Sequence, residues 1–216
     1  MRPALLVIAA YLLGSIPFGY AAGRLARIDL RATGSGNTGA TNVYRSLGLW
    51  GAVPVILLDV LKGFLPVWLF PMWDGKAWPY LAIVYGIAAV AGHVWSVFLR
   101  LRGGKGVATA AGVMLALAPI AATIAMLVWV GLVLITGFVS VASLIAATLV
   151  PVLAYFEDAP IETIVFSLGI ASFVWWTHRS NLVRLVHGEE LGFRAVSPLR
   201  KAGREKPREP PKREES

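Results

Sequence analysis

Between Val107 and Phe156 the chain runs for fifty residues without an Asp, Glu, Lys, Arg or His. Such a stretch has no polar face to turn to water, and about 20 residues already cross the hydrocarbon core of a bilayer. It is therefore too long for one crossing. Pro119 and Thr136-Gly137 are its natural break points, which predicts three helices, the first of them short, from Val107 to Ala118.

Four further apolar runs complete the pattern. Pro3 to Gly23 is interrupted at Ser15-Ile16-Pro17, Leu49 to Phe70 contains Asp59 and Lys62, and the others are Pro79 to Leu99 and Ile161 to Thr177. The prediction is an all-α polytopic integral membrane protein with seven transmembrane helices. Composition agrees, with 57% hydrophobic and 15% charged residues against about 25% charged in soluble domains. The first run has no small-residue cleavage site and reads as a retained helix. The absence of cysteine excludes disulfides and thiolate metal sites, and no metal or cofactor is expected. The net charge of +8 reads as topology signal and headgroup contact, not as a nucleic-acid surface.

The basic residues fall in the loops 24–45 and 100–105 and after 178, whereas 71–78 and 157–160 hold a single Lys. The positive-inside rule places the basic loops in the cytoplasm. The N-terminus is then outside, the C-terminus cytoplasmic, and an even number of crossings, four or two, separates Lys105 from His178. The helical domain is expected over residues 1–196. Residues 197–216 are Pro-rich and charged, the composition of a disordered tail. The expected location is the bacterial cytoplasmic (inner) membrane, with the lipid bilayer as a constant partner.

Three constellations could carry chemistry, all on the expected cytoplasmic side. In Thr33-Gly34-Ser35-Gly36-Asn37-Thr38-Gly39-Ala40-Thr41-Asn42-Val43-Tyr44-Arg45, a Gly-rich turn feeds a short helix capped by Asn37 or Thr38 and ending before Gly48. Helix starts favour anions; Ser35, Asn37, Thr41 and Asn42 are donors, and Arg45 can grip a phosphate with two parallel hydrogen bonds. The plain alternative is a well-capped flexible loop. Gly103-Gly104-Lys105-Gly106 opens onto another helix and repeats the anion logic. It is not a Walker loop, since Leu99 and Gly106 stand where that motif needs Gly and Ser or Thr, and an ordinary topogenic loop is the alternative. In His178-Arg179-Ser180-Asn181, His178 and Asn181 share a face if the last helix continues. They suit a base and an oxyanion donor, or merely an interfacial His. Asp59 and Lys62 lie inside an apolar run, where charge defaults to function, though a structural ion pair serves equally. His93 suits a packed structural role.

Taken together, several stretches resemble the bacterial acylphosphate-dependent glycerol-3-phosphate acyltransferases, the PlsY family. They are Leu13-Gly14-Ser15-Ile16-Pro17-Phe18-Gly19, Gly34 to Asn42, Leu58-Asp59-Val60-Leu61-Lys62-Gly63, Gly92-His93, Gly103 to Thr109, and His178 to Asn181 with Arg184-Leu185 and Gly188-Glu189-Glu190. The resemblance covers about residues 11 to 190. It implies a seven-helix fold and transfer of a fatty acyl group from acyl phosphate to the 1-hydroxyl of glycerol 3-phosphate. The products would be lysophosphatidic acid and inorganic phosphate, in the first acylation of bacterial phospholipid synthesis, with no cofactor. An enzyme that makes acyl phosphate is an expected contact.

The catalytic set is then Ser35, Arg45, Lys105, His178 and Asn181. Substrate is expected at Gly36, Asn37, Thr41, Asn42, Gly103, Gly104, Gly106 and Glu189. The five-residue His-to-Asp spacing of the more familiar acyltransferases is missing: Phe98, Val183 and Gly192 stand in the Asp position after His93, His178 and His187. A substrate phosphate or His178 could take the hydroxyl proton. The rival reading is a transporter or channel for a phosphate-bearing anion, suited by Asp59, Lys62 and Gly-broken helices.

Overall fold

The computed structural model describes residues 3–75 and 80–193; the expected tail at 197–216 lies outside them. The described residues form ten α-helices and a short 3₁₀ turn. The first apolar run becomes α1 (Pro3–Ser15) and α2 (Phe18–Leu25), separated at Ile16-Pro17. Pro17 has no N–H and its ring cannot continue the ladder. In an apolar surrounding the carbonyls freed by such a break must find other donors. Here Ser96 Oγ donates to Ser15 O at 2.6 Å and Lys62 Nζ to Ile16 O at 2.8 Å.

The basic loop after α2 carries α3 (Ala40–Leu47). Its N-cap is Gly39, not Asn37 or Thr38; Asn37 Oδ1 instead accepts the Gly39 N–H at 2.8 Å, a local turn that delays the helix start. The helix ends before Gly48, as the sequence predicts. Next comes α4 (Leu49–Trp73), with Pro54, Pro66 and Pro71 inside it. The predicted turn from Pro71 is therefore later than expected. An apolar helix held by neighbours tolerates internal proline, and Pro71 leaves it intact for one more turn.

The remaining elements are α5 (Leu81–Val94), the 3₁₀ turn Val97–Leu99, α6 (Val107–Leu117), α7 (Pro119–Thr136), α8 (Val139–Phe156), α9 (Ile161–Thr177) and α10 (Arg179–Val186). The fifty-residue run breaks where the sequence predicts. Pro119 occupies the first position of α7, where a missing N–H costs nothing, and the Glu157 carboxylate accepts the next two N–H groups, of Ile120 and Ala121, at 3.2 and 2.8 Å. Gly137 closes α7 with φ +76°, a left-handed cap that glycine adopts without strain.

Among the described residues, five apolar stretches are long enough to cross a membrane: Pro3–Leu25, Leu49–Trp73, Leu81–Leu99, Pro119–Thr136 and Val139–Phe156. The other two of the seven predicted spans are shorter helices, α6 and α9. At about 1.5 Å per residue, α6 reaches roughly 16 Å, about half a hydrocarbon core.

Two helix pairs approach unusually closely. A Cβ on Gly14 of α1 would collide with the Ala89 carbonyl of α5, and one on Gly92 of α5 with the Tyr11 carbonyl of α1. The pair α4 and α6 repeats this reciprocity, with Gly63 against the Thr109 carbonyl and Gly112 against that of Val60. Apolar side chains gain nothing by leaving lipid, so close backbone packing through small residues is what joins such helices. Contacts of α4 with α5, α7 with α8, and α8 with α9 complete the bundle, while Leu5, Ile8, Leu127, Ile135 and Val165 remain exposed on its outer surface.

Candidate active site

The second turn of α3 and the segment after α10 meet. Arg45, 5% exposed, donates from Nη2 to Leu191 O at 2.6 Å and from Nε to Gly192 O at 3.3 Å. Between those elements stands Glu190. Its Oε1 accepts from Asn181 Nδ2 at 2.6 Å and its Oε2 from Arg184 Nε at 2.9 Å. The other end of the Asn181 amide accepts a hydrogen bond from Lys105 Nζ. The Lys105 carbonyl accepts from Thr177 Oγ1 at 3.3 Å. His178 follows Thr177, is 3% exposed, and holds its Nδ1 2.8 Å from Val174 O. Four of the five residues expected to be catalytic, Arg45, Lys105, His178 and Asn181, thus lie in one neighbourhood built from α3, the start of α6, and the α9–α10 junction.

Burial lowers the Lys105 ammonium to about 8, assisted by the charges of Arg184 and Arg45 and opposed by Glu190. Burial also lowers the His178 imidazole, to about 4, and the Lys105 charge pushes the same way. His178 is therefore neutral near pH 7. With Nδ1–H donated to Val174 O, its Nε2 presents a lone pair. Burial pushes the Glu190 carboxyl up, but the hydrogen bonds from Asn181 and Arg184 more than offset this, so it stays ionised below the usual range. Burial lowers the Arg45 guanidinium while Glu190 raises it; a guanidinium stays charged throughout. The centre therefore sets three cations around a single carboxylate, with a neutral imidazole at its edge.

The first Gly-rich loop stands beside this centre. Asn42 braces it: Oδ1 accepts the Ser35 N–H at 3.1 Å, and Nδ2 donates to the carbonyls of Leu30 and Thr33, both at 2.9 Å. The Asn42 amide is thus committed to loop geometry, while Ser35 and Gly36 are exposed and Asn37 and Thr41 half-buried. Among the described residues no hydrogen bond joins this loop to the Lys105–Asn181–Glu190 network. The link is α3 itself, whose Asn42 and Arg45 are one turn apart.

The second Gly-rich loop is used differently from the sequence expectation. The N–H groups of Gly103 and Gly104 donate to Val94 O at 2.9 Å and His93 O at 3.1 Å, closing the end of α5. Side chains on these glycines would collide with the His93 carbonyl and ring. Gly106 has φ +84° and starts α6. Close approach to α5 and a left-handed turn therefore explain the three glycines, and Lys105 carries the charge.

Glu189 is exposed, and the network uses Glu190 beside it. No periodicity reaches across the turn at Gly188 to choose between two adjacent carboxylates. Arg184 is three residues beyond Asn181 on the same helical face, a spacing that marks it from sequence.

The pattern of the family "Glycerol-3-phosphate acyltransferase" matches residues 4–188. A glycerol-3-phosphate acyltransferase of Trichlorobacter lovleyi is 46% identical over 190 residues, covering 88% of this chain and 96% of that one. One from Aquifex aeolicus is 41% identical, covering 89% of this chain and 100% of that one. Among solved structures, PlsY, an integral membrane glycerol 3-phosphate acyltransferase in its glycerol 3-phosphate form, superposes with a TM-score of 0.82 at 40% identity, covering 88% of this chain and 94% of that one. Its lysophosphatidic acid form gives 0.81 at 39% identity, with 89% and 96% covered. With its apolar helices, its buried cationic centre and relatives matching along nearly their whole length, the chain belongs to the glycerol-3-phosphate acyltransferase family and is an integral-membrane acyltransferase.

Proposed function

We propose that this enzyme transfers a fatty acyl group from acyl phosphate to the 1-hydroxyl of glycerol 3-phosphate, releasing lysophosphatidic acid and inorganic phosphate. The observation that carries the reading is the centre formed by Arg45, Lys105 and Arg184 around Glu190. Both substrates bring phosphate, and three cations, Arg45 buried and Lys105 and Arg184 half-buried, against one carboxylate leave positive field for them. A single-phosphate solute would need less.

The new bond joins the glycerol 1-oxygen to the acyl carbon, and the bond from that carbon to the phosphate oxygen breaks. The mixed anhydride is already activated, so no covalent enzyme intermediate is needed. Arg45 and Lys105 bind the phosphates, Ser35, Asn37 and Thr41 offer donors along the first loop, and Asn181 orients the hydroxyl or steadies charge on the acyl oxygen. The lowered pKa of His178 makes it a poor proton acceptor, so the hydroxyl proton passes to a phosphate oxygen of the substrates. An apolar groove of about 790 Å³ between α8 and α9, lined by Pro151, Tyr155, Leu168 and Trp175, suits a lipid tail. Its Trp175 end is one turn from His178.

In this reading α6 and α9 complete seven crossings, the N-terminus is outside, and the site faces the cytoplasm of a bacterial inner membrane. The acyl phosphate arrives by contact with the enzyme that makes it, and no cofactor takes part. The transport alternative loses its main support, because Asp59 and Lys62 are bound to one another at 2.7 Å and Lys62 also to the Ile16 carbonyl. The test is purified protein given acyl phosphate and glycerol 3-phosphate. Equal release of lysophosphatidic acid and phosphate is expected. Uptake of a phosphate compound into sealed vesicles without that turnover would reverse the reading.

A further inference from the structure

The acyl-transfer centre leaves unused the two most deeply buried charges among the described residues, Asp59 and Lys62, and the buried His93 beside them. Asp59 and Lys62 of α4 are 3% and 2% exposed, and His93 of α5 is 9% exposed. Lys62 Nζ lies 2.7 Å from Asp59 Oδ1, and His93 Nδ1 lies 3.7 Å from the same oxygen. The Lys62 ammonium also stands 5.4 Å from the centre of the Phe18 ring. A buried ion pair is a poor way to stabilise a helix bundle, since apolar residues of similar volume do at least as well.

What distinguishes these three residues is where they are attached. Lys62 holds the Ile16 carbonyl at the break between α1 and α2. Just beyond that break, Gly19 packs so tightly on the Thr38 carbonyl that no side chain would fit. Thr38 belongs to the loop that Asn42 braces. On the other side, the His93 carbonyl receives the Gly104 N–H. The His93 ring lies against Gly104, where a Cβ would meet Nε2. The next residue is Lys105. A small cavity lined by Phe18, Thr38, Asp59, Lys62, His93 and Gly104 joins the two halves. Towards the surface the two loop regions are joined by Arg31 Nη2, which donates to Leu99 O at 3.3 Å, and this cluster connects them from below.

Resting on the acyl-transfer reading above, we propose that Asp59, Lys62 and His93 are positioning residues that fix the distance between the Ser35–Asn42 loop and Lys105. The two loops would hold different parts of the donor and acceptor. A displacement of about 1 Å between reacting groups can cost on the order of a hundredfold in rate. Neutralising the cluster therefore slows the chemical step more than it weakens binding of either substrate.

The experiment uses the full chain in detergent, with kcat, KM and thermal unfolding measured for the wild type, Asp59→Asn/Lys62→Met and His93→Gln. Wild-type turnover of acyl phosphate with glycerol 3-phosphate must come first; its absence counts against the acyl-transfer reading itself. Given that turnover, the double variant is expected to stay folded at the assay temperature, with no unpaired charge left, but to unfold earlier than the wild type because the Ile16 carbonyl loses its donor. Its kcat is expected to fall at least tenfold, with KM for each substrate within about threefold. His93→Gln leaves the ion pair in place and decides the matter if the double variant does not insert; it too is expected to lose kcat with KM kept. Wild-type kcat in a folded variant, or a loss of activity that merely tracks the unfolded fraction, overturns the proposal.

Discussion

Lys105 and His178 are the two side chains whose environment most changes what they can do. Lys105 is lowered to about 8 by burial, so in the empty enzyme it loses its proton as pH rises through that value. Its phosphate contact is lost with it. kcat/KM for glycerol 3-phosphate, which reports the free enzyme, should fall on the alkaline side of about 8. Lys105→Arg should remove that alkaline limb, because guanidinium does not titrate there, and should lower the plateau, since a planar fork fits a point-charge site poorly. Lys105→Ala should cost about ten- to a hundredfold at pH 7, the loss of one charge-assisted contact of roughly 1.5–3 kcal/mol. His178, lowered to about 4, stays neutral from pH 5.5 upward. A pH–rate profile of His178→Ala should therefore keep the wild-type shape at reduced height, any acidic limb belonging to the substrate phosphate, whose own pKa is about 6. Disappearance of that limb in the variant would make His178 the base after all.

At the scale of elements, the pattern of apolar runs marks the long apolar helices and both breaks in the fifty-residue stretch, because proline and glycine act locally and their effects are written where they stand; it reads α1 with α2 as one interrupted run and α10 only as a continuation of α9. Helix starts were less legible. Asn37 is a strong capping residue by type, yet its side chain closes a turn on Gly39 and α3 begins later. The glycines of the second loop read as anion donors by sequence, and only the position of α5 shows that Gly103 and Gly104 serve its C-terminus. Arg45, Lys105, His178 and Asn181 stand out by residue chemistry combined with family resemblance; Glu190 lies in a resembling stretch, but nothing there ranks it above Glu189, since a turn separates both from any periodic face. The reciprocal glycine contacts yield a test of their own. Gly112→Leu should wedge α6 from α4 and destabilise the protein by about 1–3 kcal/mol or more, as overpacking does. Gly131→Leu, at a position with open space around it, should leave thermal unfolding nearly unchanged.

For the whole molecule, the testable quantity is orientation. The chain has no cysteine, so single introduced thiols report without background. Ala32→Cys, Arg102→Cys and Ser180→Cys occupy exposed positions in the three basic regions, and Pro160→Cys an exposed position at the opposite end of α9. A membrane-impermeant thiol reagent applied to intact cells should label the last and spare the first three until the cells are opened. Labelling of Ala32→Cys or Ser180→Cys from outside would invert the proposed topology.

The bonds of Arg45 to the carbonyls of Leu191 and Gly192 span 146 and 147 residues of sequence. At a synthesis rate of about 5–20 residues per second, Arg45 leaves the ribosome roughly 7–30 s before its acceptors do. Late in that interval every bilayer-length helix is already made, while the cationic centre has neither its carboxylate nor the segment that covers it. Translation that stalls, or a protease that clips the nascent chain, between Thr177 and Glu190 thus leaves a body that can sit in the membrane with its helices paired and its catalytic charges unassembled. Placing the closing contacts after every apolar helix makes synthesis of that segment a condition for lipid chemistry to start.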